Sequence, residues 1–127
     1  MAWVLDLDGV IWLGGKPIQG SVEAVKRLDS EGEQLLFVTN FSALRKTEME
    51  AKLNDFGLDA TNRVITSAMG AASLIEPGER VLVCGGPGVT EAVQARGAEA
   101  IDPSKHFDRN SSVDAVVVGL HKNFYFD

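Results

Sequence analysis

Near the amino terminus an apolar run meets two carboxylates and a glycine, Val4-Leu5-Asp6-Leu7-Asp8-Gly9-Val10. Extended chain repeats every two residues, so Asp6 and Asp8 share a side if the strand continues. If the strand ends between them, they converge on one point from successive backbone turns. Two carboxylates in one small space repel, and a cation removes that penalty. A hard divalent ion such as Mg²⁺ is the usual partner of oxygen ligands with phosphate nearby. The bland alternative is a buried strand whose two acids face solvent in a loop.

The chain behind this stretch alternates strand and helix patterns. Trp3 to Val10 reads as the first strand and Ile11 to Ile18, with Gly14-Gly15-Lys16-Pro17, as a loop or flap. Ser21 is placed to cap a helix with Val22, Val25 and Leu28 on one face, ended by Gly32. Leu35-Leu36-Phe37-Val38 is a continuous apolar run, as expected of a parallel strand covered on both faces. Thr47-x-x-Glu50 predicts a capping box, and the helix behind it carries Met49, Leu53 and Phe56 to a stop at Gly57. Val64-Ile65-Thr66 is a third strand. Strand, helix, strand, helix, strand is the pattern of a right-handed parallel α/β sheet. A second α/β unit then begins, with a boundary near Thr66-Ser67: a helix from Ser67 to Ile75, a strand from Arg80 to Cys84, a helix from Val89 to Arg96, and a strand from Val113 to Leu120.

Thr39-Asn40 ends the second strand as Asp6 to Asp8 end the first. Ligands of open parallel sheets lie outside the carboxyl ends of the strands, so neighbouring strands bring Thr39 beside Asp6. A hydroxyl and an amide there can donate to phosphate oxygens, and the next helix start adds backbone N–H groups. An ordinary strand-to-helix turn is the competing account of the same two residues.

An apolar run followed by D-x-D-G-V resembles the first motif of the haloacid dehalogenase (HAD) superfamily. The resemblance makes Asp6 the nucleophile toward a phosphoryl group and Asp8 the general acid and base, both also metal ligands for Mg²⁺, Asp8 through its backbone carbonyl. The strand ending in V-T-N resembles the second motif, with Thr39 and Asn40 at the phosphate. Thr39-Asn40-Phe41-Ser42-x-x-Arg45, Val64-Ile65-Thr66-Ser67-Ala68 and Asp114-Ala115-Val116-Val117-Val118-Gly119 resemble the NagD-type and 4-nitrophenyl phosphatase branch. That branch usually reads T-N-N-S, and Phe41 replaces its second Asn. The implied fold is α/β: a parallel Rossmann-like HAD core over residues 1–66, contributing its first three strands, followed over 67–127 by the first half of a C2-type cap. The implied activity is a Mg²⁺-dependent phosphomonoester hydrolase of small phosphorylated metabolites, working through an aspartyl-phosphate.

The later motif III Lys and the motif IV acidic pair have no counterpart in this chain, which holds no Gly-Asp dipeptide. Lys16, Lys46, Lys105 and Lys122 read as solvated surface residues. The chain is therefore expected to be truncated, inactive or very weak alone, and to self-associate or need a complementary chain. The alternative function is a non-catalytic fragment or interaction module that retains a phosphate-binding site.

Composition narrows the field. A chain of 127 residues, 45% hydrophobic with a formal net charge of -6, can bury a core. Its acidity argues against nucleic acid and against an anionic membrane surface. The single cysteine, Cys84, cannot form an intramolecular disulfide and reads as a small buried group. With no signal peptide pattern and no run long enough to span a bilayer, the expected compartment is cytoplasmic. Gly86-x-Gly88-x-x-Glu91 half-matches a dinucleotide fingerprint, but a Gly-rich strand-to-helix turn suffices. His106 and His121 lack metal spacing, and Phe124-Tyr125-Phe126 reads as a packing tail.

Overall fold

The structure, a computed structural model, describes residues 1–104 and 112–121. Lys105, His106, Lys122 and the aromatic segment Phe124-Tyr125-Phe126 lie outside the described residues. The chain packs as two compact units, one of Met1–Thr39 with Lys46–Ile65, the other of Asn40–Arg45 with the chain from Thr66 onward.

The first unit holds β1 (Ala2–Asp6), a small antiparallel hairpin of β2 (Trp12–Leu13) and β3 (Lys16–Pro17), α1 (Ser21–Ser30), β4 (Gln34–Thr39) and α2 (Lys46–Asp55), and ends in β5 (Val64–Thr66). The sheet order is β1-β4-β5. β1 and β4 are parallel, in register from Ala2 opposite Gln34 to Asp6 opposite Val38. Leu7, Ile11, Trp12, Phe37, Met49, Leu53 and Val64 are essentially removed from solvent. Burying an apolar side chain of this size contributes about 1.5–3 kcal/mol, so these residues are a main source of this unit's stability.

The apolar run of β4 is not covered equally on both faces, as its sequence led us to expect. Leu35, Phe37 and Thr39 are buried while Leu36 and Val38 are half-buried. Its neighbour β1 likewise leaves Trp3 and Val4 exposed. The core closes one face of β4, while β1 at the sheet edge is open on both.

Two helix starts also differ from the sequence reading. The N-cap of α1 is Gly20, in left-handed backbone at φ 81°, and Ser21 lies inside the helix. Its hydroxyl donates instead to the carbonyl of Val10, a tertiary partner eleven residues back. α2 begins at Lys46, so Thr47 is already helical and no capping box forms. Glu50 Oε1 accepts the Asn62 N–H at 3.0 Å and sits 3.4 Å from Lys46 Nζ.

The second unit contains α3 (Ser67–Ala72), β6 (Arg80–Cys84), α4 (Pro87–Ala95), β7 (Glu99–Ile101) and β8 (Ala115–Val118). Its sheet runs β7-β6-β8, with β6 parallel to both neighbours. β7 escaped the sequence reading. The helix predicted from Ser67 to Ile75 stops at Ala72, after Thr66 caps it by accepting the Met69 N–H at 3.3 Å. Ala68, Ala72, Val81, Val83, Val89, Ala92, Val93 and Val117 form this unit's core. No helix among the described residues is long and apolar enough to cross a membrane.

Candidate functional site at the strand ends

β1 ends at Asp6, so the two carboxylates are not carried on one continuous strand. Beyond Asp6 the backbone folds into a tight turn around a single acceptor. The Leu7 carbonyl receives the N–H groups of Val10 (3.3 Å), Ile11 (2.9 Å) and Trp12 (3.1 Å). The Gly9 N–H donates back to the Trp12 carbonyl at 2.7 Å. Gly9 takes φ 83°, a conformation that costs residues with a Cβ and suits glycine. Leu7, Ile11 and Trp12 anchor the turn in the core, while Asp6, Asp8, Gly9 and Val10 stay exposed.

Each carboxylate has one oxygen engaged. Asp6 Oδ1 accepts the Leu7 N–H at 2.8 Å, and Asp8 Oδ1 accepts the Trp12 indole N–H at 2.8 Å. The second oxygen of each is therefore the one left for a ligand by these two bonds. On the neighbouring strand, Thr39 comes one position after Val38, the register partner of Asp6. Asp6 and Thr39 thus lie at the same, carboxyl end of adjacent strands, which are spaced about 4.8 Å apart in sheets. Thr39 is buried, at 2% exposure. Asn40 follows it in the chain but packs in the second unit, where its carbonyl accepts the Ser67 hydroxyl at 2.8 Å.

The donor set suits Mg²⁺. That ion takes hard oxygens, keeps several waters, and is commonly held by one or two carboxylates together with substrate phosphate. The exposed Asp6 carboxylate, with the backbone carbonyl of Asp8 two positions on, meets this description. No group of three or more His, Cys, Asp or Glu side chains gathers among the described residues, so an all-protein cage is not what these residues form.

The remaining sequence signals resolve into structure. Gly86 and Gly88 are tight packing positions: a Cβ on Gly88 would fall 2.0 Å from the Leu44 carbonyl oxygen, and one on Gly86 would fall 2.7 Å from that of Ala43. The glycine turn accommodates another stretch of backbone. Ser42 is buried and its hydroxyl accepts the Leu120 N–H at 2.8 Å, a structural bond. Lys46 pairs with Glu50 and donates to Asn62 Oδ1 at 3.2 Å. Cys84 is a free, half-buried thiol. The residue that sequence reasoning passed over is Trp12, assigned there to a flap. The available signal was its i+4 spacing from Asp8.

Comparison with known proteins identifies the family. The family model described as haloacid dehalogenase-like hydrolase matches residues 3–99. An acid sugar phosphatase of Staphylococcus saprophyticus is 33% identical over 130 residues, spanning 99% of this chain and 48% of that protein. The chain thus spans about half the length of the curated relatives it matches. Among solved structures, a glycerol phosphate phosphatase of Mycobacterium tuberculosis in complex with magnesium aligns with a TM-score of 0.82 and 32% identity, covering 98% of this chain and 37% of that one. A p-nitrophenyl phosphatase of Archaeoglobus fulgidus aligns with a TM-score of 0.83 and 27% identity, covering 98% and 47%. With its Asp-x-Asp strand end inside the matched region and a fold shared with these phosphatases, the chain belongs to the haloacid dehalogenase-like hydrolases.

Proposed function

We propose that the chain carries the phosphoryl-transfer strands of a Mg²⁺-dependent phosphomonoester hydrolase acting on small phosphorylated metabolites. In this reading Asp6 attacks phosphorus in line, forming the aspartyl-phosphate as the P–O bond to the alcohol breaks. Asp8 protonates the departing alkoxide, then takes a proton from the water that hydrolyses the acyl phosphate. Thr39, and Asn40 behind it, bind the phosphoryl oxygens. Asp6 and Asp8 would hold Mg²⁺, which supplies charge neutralisation at the transferring phosphoryl when bound. Residues 1–66 are the partial core in this account and residues 67–127 the partial cap. The compartment is the cytoplasm, where phosphorylated metabolites are made.

The observation that carries the reading is the parallel register of Asp6 with Val38, which sets the Asp-x-Asp turn and Thr39 at one end of adjacent strands. Named relatives that hydrolyse sugar and glycerol phosphates support the substrate class. The second reading is a phosphate-binding module without turnover; among the described residues no group of three or more His, Cys, Asp or Glu side chains gathers to hold a metal ion.

Chemical trapping separates the two readings without relying on turnover. The protein is incubated with Mg²⁺ and acetyl phosphate, then reduced with borohydride, which converts an aspartyl-phosphate to homoserine. Mass spectrometry should locate that mark at position 6 in the wild type and lose it in Asp6→Asn. Phosphate binding by equilibrium dialysis with no mark would favour the non-catalytic module. Robust turnover of a generic ester that survives Asp6→Asn would remove Asp6 from the chemistry.

The partner side of the proposal is self-association, or pairing with a complementary chain, through open sheet edges. β1 has β4 on one side only among the described residues, and β8 likewise ends its sheet.

A further inference from the structure

We propose that Trp12 is a positioning residue for Asp8, with Lys52 as its reinforcement. Asp8 sits exposed in a turn, where a carboxylate side chain has several staggered rotamers open to it. A group that first gives and then takes a proton must keep one oxygen aimed at one place, to within a fraction of an ångström. The Trp12 indole N–H meets Asp8 Oδ1 at 2.8 Å, which selects the rotamer and leaves Oδ2 for proton transfer.

The donor is itself held rigidly. Trp12 is 1% exposed. Its backbone is fixed by its N–H on the Leu7 carbonyl and by the Gly9 N–H on its own carbonyl. Its ring lies 6.0 Å from the Phe56 ring at an interplanar angle of 59°. Lys52 Nζ stands 3.8 Å from the ring centroid. An ammonium over the indole face draws on the ring's π density, which polarises the N–H and strengthens it as a donor. A Lys or Arg reaching Asp8 directly would neutralise the carboxylate. The indole orients it and leaves its negative charge in place, while the cation acts one ring away.

The inference deepens the reading of Asp8 as proton shuttle and rests on it for its purpose, but its test reads geometry and does not need turnover. Three-bond N–Cγ and C′–Cγ couplings report the χ1 rotamer of each Asp by NMR. The wild type should show a single rotamer at Asp8. Trp12→Phe, which keeps an aromatic ring and removes the donor, should give averaged couplings at Asp8 while those of Asp6 stay as they were. In the reverse direction, Asp8→Ala should speed solvent exchange of the Trp12 indole proton about tenfold or more, as loss of a bond to a charged acceptor implies. Trp3, the other indole of the chain, is the internal reference and should not change. Lys52→Met should move the Trp12 N–H resonance upfield and speed its exchange by a smaller factor. A single Asp8 rotamer in folded Trp12→Phe protein overturns the proposal, as does a Trp12 indole proton indifferent to Asp8→Ala. If Trp12→Phe does not fold, the Asp8→Ala measurement decides alone. If the couplings behave as expected but Asp8 proves dispensable for phosphoryl transfer, the reading of the site fails and the contact stands as structural.

Discussion

At the scale of single residues, the turn after β1 concentrates the constraints. Gly9 adopts φ 83°, and a Cβ built there meets nothing within 4 Å. Gly9→Ala therefore tests backbone strain without a clash. Left-handed backbone costs a residue with a Cβ about 1–2 kcal/mol, and that loss should appear as a lower denaturant midpoint with an unchanged slope. An unaltered midpoint would mean that the turn relaxes to negative φ. The residues of this site were legible to different degrees. Asp6, Asp8 and the glycine behind them stand out because their types and spacing are local properties of the chain. The exit of Asp8 from the strand was only one of two options in the sequence, because the choice depends on three N–H groups converging on the Leu7 carbonyl. Trp12 was hidden among the apolar residues of a flap. Its bond to Asp8 needs that turn to exist before the i+4 spacing means anything.

At the scale of elements, β4, β5 and β6 are where the sequence places them, while the end of β1, two helix starts and β7 are not. β6 matches its apolar run, and the buried face of α1 carries Val22 and Val25 as its spacing requires. Ser21 was misread because its best partner, the Val10 carbonyl, is tertiary. The capping-box reading failed for the same reason: Glu50 found the Asn62 N–H after the chain came back. β7 is a three-residue strand made by pairing with β6, too short to show a period of its own. Two glycine substitutions in the second unit should move stability in opposite directions. In Gly88→Ala the new methyl meets the carbonyl oxygens of Leu44 and Ser42 at 2.0 and 2.6 Å, backbone atoms that cannot step aside. Overpacking of this kind typically costs about 1–3 kcal/mol, and here the upper end is expected. Gly70 lies inside α3 with open space around its missing Cβ. Gly70→Ala should stabilise by about 0.5–1 kcal/mol, the helix preference of alanine over glycine. Urea unfolding of both variants gives the comparison. Equal effects of the same sign would show that the approach of α4 to residues 42–44 is looser than these distances imply.

At the scale of the whole molecule, the described residues leave sheet edges open. Among the described residues β1 ends the order β1-β4-β5, so its far side presents N–H and C=O groups that β4 does not use. The strand is apolar as well as open: Val4 is 66% exposed and Trp3 39%. In the second unit β8 ends its sheet with Val116 at 55% and Val118 at 76%. Natural edge strands are blunted by charge, proline or a bulge, and the interior of neither strand carries any of these. Ala2 to Leu5 in particular offers four uncharged residues in extended form. An edge of this kind recruits another strand, and in a solution of one component the available strand belongs to a second copy. Sedimentation at micromolar concentrations should therefore give a weight-average mass above that of the monomer, rising with concentration. Val4→Lys places a charge on the open strand at a side chain already two-thirds exposed, so the fold should tolerate it while association weakens. A monomer across the whole concentration range in the wild type would show that the edge is protected. Association that persists unchanged in Val4→Lys would instead move the contact away from β1, leaving the β8 edge to be tested by Val118→Lys in the same way.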